Sequence, residues 1–236
     1  MSPTDTPFRH FHDQLTALNR RLLTMSEKAE ALVEQSVDAL LTKDAAKAQM
    51  VIDADSELDA MELELEGAAL ELLALQQPMA RDLRFIVSAI KVTSDLERVG
   101  DHAVNIAQAA LRLVELHTAI TPDPSIEDMA RRARSMLADA ISAFLRADSA
   151  LGRDVCARDD AVDALHESVF RILLTHMMAD ARTINTSLEY LLVSRNLERV
   201  ADLATNISED AVFLAEGKQI KHAGAADAAR AGTFTS

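Results

Sequence analysis

Residues 96–106, LERVGDHAVNI, and residues 197–207, LERVADLATNI, are two versions of one eleven-residue phrase. Eight of the eleven positions are identical, which indicates an internal repeat. The shared Leu, Val and Ile fall on one apolar helical stripe, so core packing explains them. The shared Glu, Asp and Asn, spaced at i, i+4 and i+8, point away from that stripe. The polar half of the phrase is therefore the first candidate for function.

The repeat extends well beyond this phrase. Residues 25–62 align without a gap on residues 129–166, with ten of 38 pairs identical. Residues 81–113 align on residues 182–214, with twelve of 33 identical. The offset changes by three residues between the second and third helical segments, where a turn absorbs the difference. The sequence therefore predicts an all-α fold made by tandem duplication of a three-helix bundle.

Composition supports a helical protein and excludes several functional classes. Hydrophobic residues make up 49% of the chain, but aromatic residues only 3%, with six Gly and five Pro. Such a composition favours helices over strands. The net charge of −14 disfavours a nucleic-acid partner, and the single cysteine, Cys156, excludes an intramolecular disulfide. No secretory signal or membrane-spanning apolar run is visible, so we expect a cytoplasmic protein.

Helical periodicity predicts six long helices, with Asp44 as the N-cap of the second and Pro78 in the first turn of the third. Ser125 and Asp128 resemble a capping box at the start of the fourth. The predicted helices span about 8–42, 44–75, 78–117, 125–146, 148–179 and 180–216. The predicted domains are repeat one over 1–119, repeat two over 120–217, and a flexible polar tail over 218–236.

Two acidic edges are predicted to meet in each repeat. On a helical wheel centred on the apolar seam, the Glu and Asp of the repeated phrase lie off that seam, on an edge or an outer face of the third helix. The second helix carries another acidic stripe, and a short turn should make the two helices antiparallel neighbours. The stripe contains Asp55, Asp59, Glu62 and Glu66 in repeat one, and Asp159, Asp163 and His166 in repeat two.

Two interpretations of these carboxylates fit the spacing. Acidic pairs at i and i+4 repel each other by a few tenths of a kcal/mol. A bound cation would offset that repulsion, because clustered carboxylate oxygens are suitable ligands for hard cations and non-haem iron. Alternatively, the acidic groups form a solvated face or pair with arginines, for which the candidates are Arg81, Arg98, Arg182 and Arg199.

Catalytic motifs are not apparent. Ferritin-like di-iron enzymes use Glu-x-x-His, and none of the seven His has a Glu three residues before it. Asp163-x-x-His166 comes nearest. His102, His117 and His176 lack the context of a phosphotransfer histidine, and Cys156 matches Ile52 and is interpreted as a small hydrophobe. We therefore predict no catalytic residue and no organic cofactor.

The duplicated phrase, the preceding Arg81-Asp82-Leu83-Arg84 and the upstream Asp55-x-x-x-Asp59 resemble the PhoU family over about residues 8–217. The resemblance implies two similar three-helix bundles side by side. It also implies a cytoplasmic accessory protein and negative regulator of phosphate uptake and the phosphate-starvation response. The implied partners are the ATPase subunit of a phosphate ABC transporter, a phosphate-sensing histidine kinase and a second copy of the chain. Contact with a membrane would then occur only through these partners.

The resemblance further implies a divalent or multinuclear metal, with iron or zinc first and magnesium or nickel as further candidates. The implied ligands are Asp55, Asp59, Glu97 and Asp101 in repeat one, and Asp159, Asp163, Glu198 and Asp202 in repeat two. Asn105 and Asn206 are candidate supporting groups.

Repeat two departs from repeat one in ways that bear on these sites. Thr183-Ile184-Asn185 replaces Asp82-Leu83-Arg84, and His166 replaces Glu62, so the two sites are expected to differ in metal or occupancy. Two further functions stay open at this point: a carboxylate-bridged helical-bundle metalloenzyme and a metal-independent helical scaffold.

Overall fold

A computed structural model describes residues 5–76, 78–116 and 124–220 of the chain. Within these ranges it contains six long helices and no strand. The helices are α1 (Asp5–Thr42), α2 (Ala45–Gln76), α3 (Ala80–Glu115), α4 (Pro124–Arg146), α5 (Ser149–Ala179) and α6 (Ile184–Glu216). The predicted all-α, duplicated fold is confirmed. The predicted boundary at 119/120 and most of the predicted tail lie outside the described residues.

The turn between the first two helices is the same in both repeats. Lys43 and Ala147, which occupy equivalent positions, have φ values of 55° and 50°. The next residue closes the turn, because the N–H of Asp148 donates to the carbonyl of Ala143 at 2.8 Å. Its side chain then accepts from the N–H of Leu151 at 3.1 Å. Asp44 accepts from a backbone N–H in the same way, which confirms the predicted N-cap.

Three predicted helix starts need correction. The backbone is still extended at Met79, so α3 begins at Ala80 and Pro78 precedes the helix. Helix α4 already includes Ser125, which is therefore not its N-cap. A 3₁₀ turn over Ala181–Thr183 separates α5 from α6, and the Asp180 side chain caps it by accepting from the N–H of Arg182.

The two repeats pack through their central helices. Helix α3 packs against α6 and α1 against α4, whereas α2 and α5 contact only helices of their own repeat and the adjoining 3₁₀ turn within the described residues. Lys91 Nζ lies 3.1 Å from Asp210 Oδ1, and Arg112 Nε lies 2.8 Å from Glu189 Oε1. The N-terminal part of α3 therefore contacts the C-terminal part of α6, and the C-terminal part of α3 contacts the N-terminal part of α6. The central pair is antiparallel, and α2 and α5 lie on the flanks.

The repeated phrase forms the centre of the core. Leu96, Val99, Ala103 and Ile106 are fully buried on α3, and their counterparts on α6 are equally buried. Burial of each large apolar side chain stabilises the fold by about 1.5–3 kcal/mol. None of the helices in the described part of the chain combines the length and apolar character needed to cross a membrane.

Gly100 allows α2 and α3 to approach closely. A Cβ added there would overlap the Cδ2 of Leu58, which is fully buried on α2. Repeat two has Ala201 at the position of Gly100 and Val162 at the position of Leu58. The extra methyl group on α6 is thus matched by a smaller side chain on α5.

This contact predicts a specific coupling. We expect Gly100→Ala alone to destabilise the fold by about 1–2 kcal/mol, because it overpacks the site. Leu58→Val alone should cost about 1 kcal/mol through the lost methylene. The double variant should be more stable than the sum of the two changes by about 1 kcal/mol or more. Urea unfolding measures the cycle, and Val162→Leu in repeat two should reproduce the clash. Additive effects would contradict the assignment.

Candidate functional site

The acidic edges of α2 and α3 face each other in repeat one, as the sequence predicts. We call this group the first cluster, and its members are Asp55, Asp59, Glu62, Glu97 and Asp101. Burial is the main cause that raises the pKa of Glu97, to about 7, and the other four carboxylates add to the shift. Because each of them acts on Glu97, the four predicted ligands of repeat one share one electrostatic environment.

Close helix packing brings these carboxylates together. Asp55 Oδ1 would lie only 3.3 Å from a Cβ at position 100, so the missing side chain of Gly100 makes room for it. Burial raises the pKa of Asp55, and the charges of Asp59 and Asp101 raise it further. Burial also raises the pKa of Glu62, although a hydrogen bond from Ser94 opposes that shift.

Repeat two forms the equivalent group between α5 and α6. The second cluster consists of Asp159, Asp163, His166, Glu198 and Asp202. Burial first, and then Asp163 and Asp202, raise the pKa of Asp159 to about 6. The Oδ1 atom of Asp159 is fully buried and accepts no hydrogen bond within the described residues. Such an atom normally has a partner, so it is an open acceptor that faces other carboxylates.

The two clusters differ in the positive groups beside them. In repeat two, Arg199 Nη1 lies 2.9 Å from Asp202 Oδ2. In repeat one the equivalent Arg98 turns back to Asp95, at 3.4 Å, and repeat two has Asn196 at that position. Arginine pairing therefore explains Asp202 but not Asp101. Arg182, another predicted arginine partner, instead pairs with Asp180.

His166 is the second difference between the clusters, because repeat two has an imidazole where repeat one has the carboxylate of Glu62. Its Nε2 lies 4.0 Å from Glu198 Oε2, at the position where repeat one has the carboxylate of Glu62. Its Nδ1 lies 3.0 Å from the hydroxyl of Ser194. Ser194 was not among the residues predicted from the sequence. Its spacing of four residues from Glu198 places it on the same edge of α6 and could have identified it.

The donor atoms fit a divalent cation, since carboxylate oxygens and one imidazole nitrogen are common ligands of such ions. The mutual repulsion of the carboxylates and the unpartnered Oδ1 atom of Asp159 also favour a bound cation. As they are placed, however, no three His, Cys, Asp or Glu side chains of the described residues converge closely enough to hold an ion. Binding requires the carboxylates to rotate toward each other, so their role as metal ligands stays a prediction.

The two candidate supporting amides have different surroundings. Asn105 is exposed, and Asn206 lines a cavity of about 320 Å³ between α3 and α6. Lys91 and Arg98 also line the cavity, but both pair with aspartates, and Glu209 adds a further acid. An anion such as phosphate would meet no surplus of positive charge there.

Two residues that were weighed as reactive groups have structural surroundings. His102 lies half-buried between the repeats, with Nδ1 2.9 Å from Asn196 Oδ1, and burial lowers its pKa. Burial raises the pKa of Cys156 to about 11, which keeps it a protonated thiol. The prediction that Cys156 is not a nucleophile agrees with this, because the thiolate is the reactive form.

Comparison with known sequences places the chain beside one group of proteins. The family model described as PhoU domain matches it twice, over residues 22–110 and 126–211. It is 38% identical over 217 residues to the phosphate-specific transport system accessory protein PhoU homolog of Caulobacter vibrioides (strain NA1000 / CB15N), covering 92% of this chain and 94% of that protein. The homolog of Clostridium acetobutylicum is 37% identical, with 89% and 96% covered.

Solved structures agree. PhoU from Pseudomonas aeruginosa has a TM-score of 0.86 and 34% sequence identity, covering 88% of this chain and 100% of that one. The phosphate transport system regulatory protein PhoU from Streptococcus pneumoniae has a TM-score of 0.82 and 30% identity, with 89% and 98% covered. The similarity thus extends over both repeats and both acidic clusters.

The raised pKa of Glu97 predicts a pH-dependent stability without metal. A folded-state pKa of about 7 exceeds the unfolded value of about 4.5, so the folded protein binds the proton more tightly. Its contribution is full below pH 4.5 and is lost as pH rises through 7. With a chelator present, Glu97→Gln should leave stability unchanged near pH 4.5 and raise it by about 0.5–1 kcal/mol at pH 8, after allowance for solvent screening. Urea unfolding at several pH values measures this.

The matched control is Glu64→Gln, which changes an exposed glutamate of α2 outside the cluster. This variant should keep the pH profile of the parent protein. Equal profiles for the parent and Glu97→Gln would contradict the raised pKa of Glu97.

Proposed function

The chain belongs to the PhoU family, and we propose that it is an accessory protein and negative regulator of phosphate uptake and the phosphate-starvation response. The observation that carries the proposal is the similarity over nearly the full length of its relatives, in both repeats. We propose that it acts in the cytoplasm as an adaptor and not as an enzyme. The protonated thiol of Cys156 and the lack of any recognised catalytic motif support a non-enzymatic role.

We further propose that each cluster binds divalent or multinuclear metal, with iron or zinc as the first candidates and magnesium or nickel as others. The proposed ligands are the four carboxylates of each repeat, together with the groups that adjoin them. Burial, and then the charges of neighbouring carboxylates, raise the pKa values of Glu97 and Asp159, and a bound cation would offset both effects. It would also link α2 to α3, and α5 to α6, on the flanks of the molecule. Metal binding would then stiffen each of these two helix pairs.

The proposed partners are the ATPase subunit of a phosphate ABC transporter and a phosphate-sensing histidine kinase, with a second copy of the chain as a homodimer partner. The relatives are named as accessory proteins of the phosphate-specific transport system, which supports the transporter as a partner. The net charge of −14 disfavours direct attraction to anionic membranes or nucleic acids. We therefore propose that the chain meets the membrane only through these proteins.

The proposal is tested by cluster variants in a host that lacks the chromosomal gene. Asp55→Asn with Glu97→Gln disables the first cluster, and Asp159→Asn with Glu198→Gln disables the second. With both disabled, a phosphate-starvation reporter should stay active in high phosphate, as in the deletion strain. Immunoblotting confirms equal protein levels, and metal analysis of the purified protein should show the matching loss.

The matched control combines Glu64→Gln and Glu71→Gln, which remove two exposed charges of α2 outside the cluster. This variant should repress the reporter normally. Full repression by the protein with both clusters disabled would reject a role for metal in regulation and favour a metal-independent scaffold. Oxygen-dependent turnover by the purified, metal-loaded protein would instead support a metalloenzyme.

A further inference from the structure

We propose that the groove between α2 and α3 docks a helix of a partner protein, with apolar side chains of that helix on the hairpin half of the groove and a Lys or Arg on the first cluster. This inference rests on the proposed role as an adaptor, and it identifies the surface and the chemistry of the partner segment. It does not depend on metal binding. An exposed group of apolar side chains, its retention in repeat two and the charge of α2 support it.

An apolar face lies beside the first cluster, toward the turn that joins α2 to α3. Its four members are 36–71% exposed: Leu63, Leu70, Leu83 and Val87. Within the described part of the chain α2 contacts only α1 and α3, so no helix of repeat two covers this face. Exposed apolar side chains that are grouped on one surface mark sites of interaction with other molecules.

Leu70 and Val87 face each other across the groove. A Cβ at Gly100 would overlap Leu58, so these two positions are directly opposed on α3 and α2. The two helices are joined by a short turn and run antiparallel. Leu70 lies twelve residues beyond Leu58, and Val87 lies thirteen residues before Gly100, so both are the same distance from that contact. The hairpin half of the groove therefore presents apolar side chains from both of its walls.

Repeat two retains most of this apolar face. Three of the four members have apolar counterparts that are 40–45% exposed: Leu174 for Leu70, Ile184 for Leu83 and Leu188 for Val87. An exposed position outside the core can accept a polar side chain without loss of packing. Apolar residues at the same exposed positions in both halves of a diverged duplication therefore indicate a contact surface.

The charge of α2 determines the chemistry of the occupant. Residues 48–80 contain eight Asp or Glu and no Lys, Arg or His. On α3, Arg98 pairs with Asp95 at 3.4 Å and does not compensate the first cluster. Repeat two, by contrast, has Arg195 at the position of Ser94 and also carries Arg199 beside its carboxylates. A Lys or Arg of a partner helix would therefore bind more favourably in repeat one.

Other occupants of the groove fit these charges less well. A second copy of this chain would bring its own net charge of −14 to an acidic groove. An anionic membrane surface would be repelled in the same way. An amphipathic helix with a basic end satisfies both halves of the groove, because its apolar anchors fit the apolar face and its cation meets the carboxylates.

The spacing along the groove sets the spacing expected in the partner helix. Leu70 lies 11 residues after Asp59, and Leu83 lies 14 residues before Glu97, so each pair shares one edge of its helix. At 1.5 Å per residue, these separations are about 16–21 Å. The partner should therefore carry a Lys or Arg 11–14 residues from its apolar anchors.

The test places the photoreactive amino acid p-benzoylphenylalanine at position 87 of the full chain, in a host that lacks the chromosomal gene. After irradiation, mass spectrometry should identify one segment of another protein cross-linked to this position. That segment should have apolar residues at helical spacing and a Lys or Arg 11–14 residues from the cross-link. The matched control carries the same amino acid in place of Leu23, an exposed leucine of α1, and should not capture this segment.

The captured segment, made as a synthetic peptide, is then titrated into the purified full chain with a chelator present. Leu70→Gln should weaken binding about 10-fold or more, because a central apolar contact is lost. Ser94→Arg introduces the charge that repeat two carries at this position, and should weaken binding about 10-fold and reduce its dependence on salt. Leu23→Gln should leave binding unchanged. Thermal unfolding confirms that each variant is folded.

The inference would be overturned by capture of a second copy of this chain or of a segment without a basic residue at that spacing. It would also be overturned by the absence of any cross-link at position 87, or by peptide binding that Leu70→Gln and Ser94→Arg leave unchanged. The reporter assay separates these outcomes from failure of the proposed function. If the parent chain restores repression and the cross-link fails, this inference alone is wrong. If the parent chain does not restore repression, the adaptor role fails and this inference fails with it.

Discussion

The packing of α2 on α3, and of α5 on α6, is the constraint on which the rest of the structure depends. The apolar seam of each pair is buried completely, and each large side chain contributes about 1.5–3 kcal/mol. The carboxylates lie on the edge next to that seam, so burying the seam brings them together. Each like-charge pair costs only a few tenths of a kcal/mol in an exposed helix. Core packing is therefore strong enough to hold a cluster of like charges that would disperse on its own.

Duplication explains why the same constraint appears twice, and divergence explains why the two copies are not equivalent. Where packing is at stake, changes are matched: Gly100 with Leu58 in one repeat, Ala201 with Val162 in the other. The changes in charged residues between the two repeats have no such compensating partner. His166 brings a nitrogen donor into repeat two that repeat one lacks. The two repeats have thus kept the same fold, while the side chains of the two clusters have become chemically different.

Sequence reasoning predicted the six helices from the periodicity of apolar residues and the duplication from the alignment of the two halves. It predicted the meeting of the acidic edges from the helical wheel and the short turn between the two helices. It placed Pro78 and Ser125 wrongly, since helix starts depend on local backbone geometry that periodicity does not report. It also missed Ser194 and the turn of Arg98 toward Asp95. Those contacts depend on side-chain direction and on neighbours from another turn or helix. The ligand role of the carboxylates is a matter of affinity, which neither sequence pattern nor fold determines.

The central claim is that the first and second clusters are cation sites. The most direct measurement is anomalous diffraction from crystals soaked separately in Zn²⁺ and Mn²⁺, with data collected on both sides of each absorption edge. The account predicts anomalous peaks between α2 and α3, beside Glu97, and between α5 and α6, beside Asp159. The account would be contradicted by anomalous peaks confined to other surfaces. It would also be contradicted if neither cluster showed a peak at metal concentrations that saturate binding in solution.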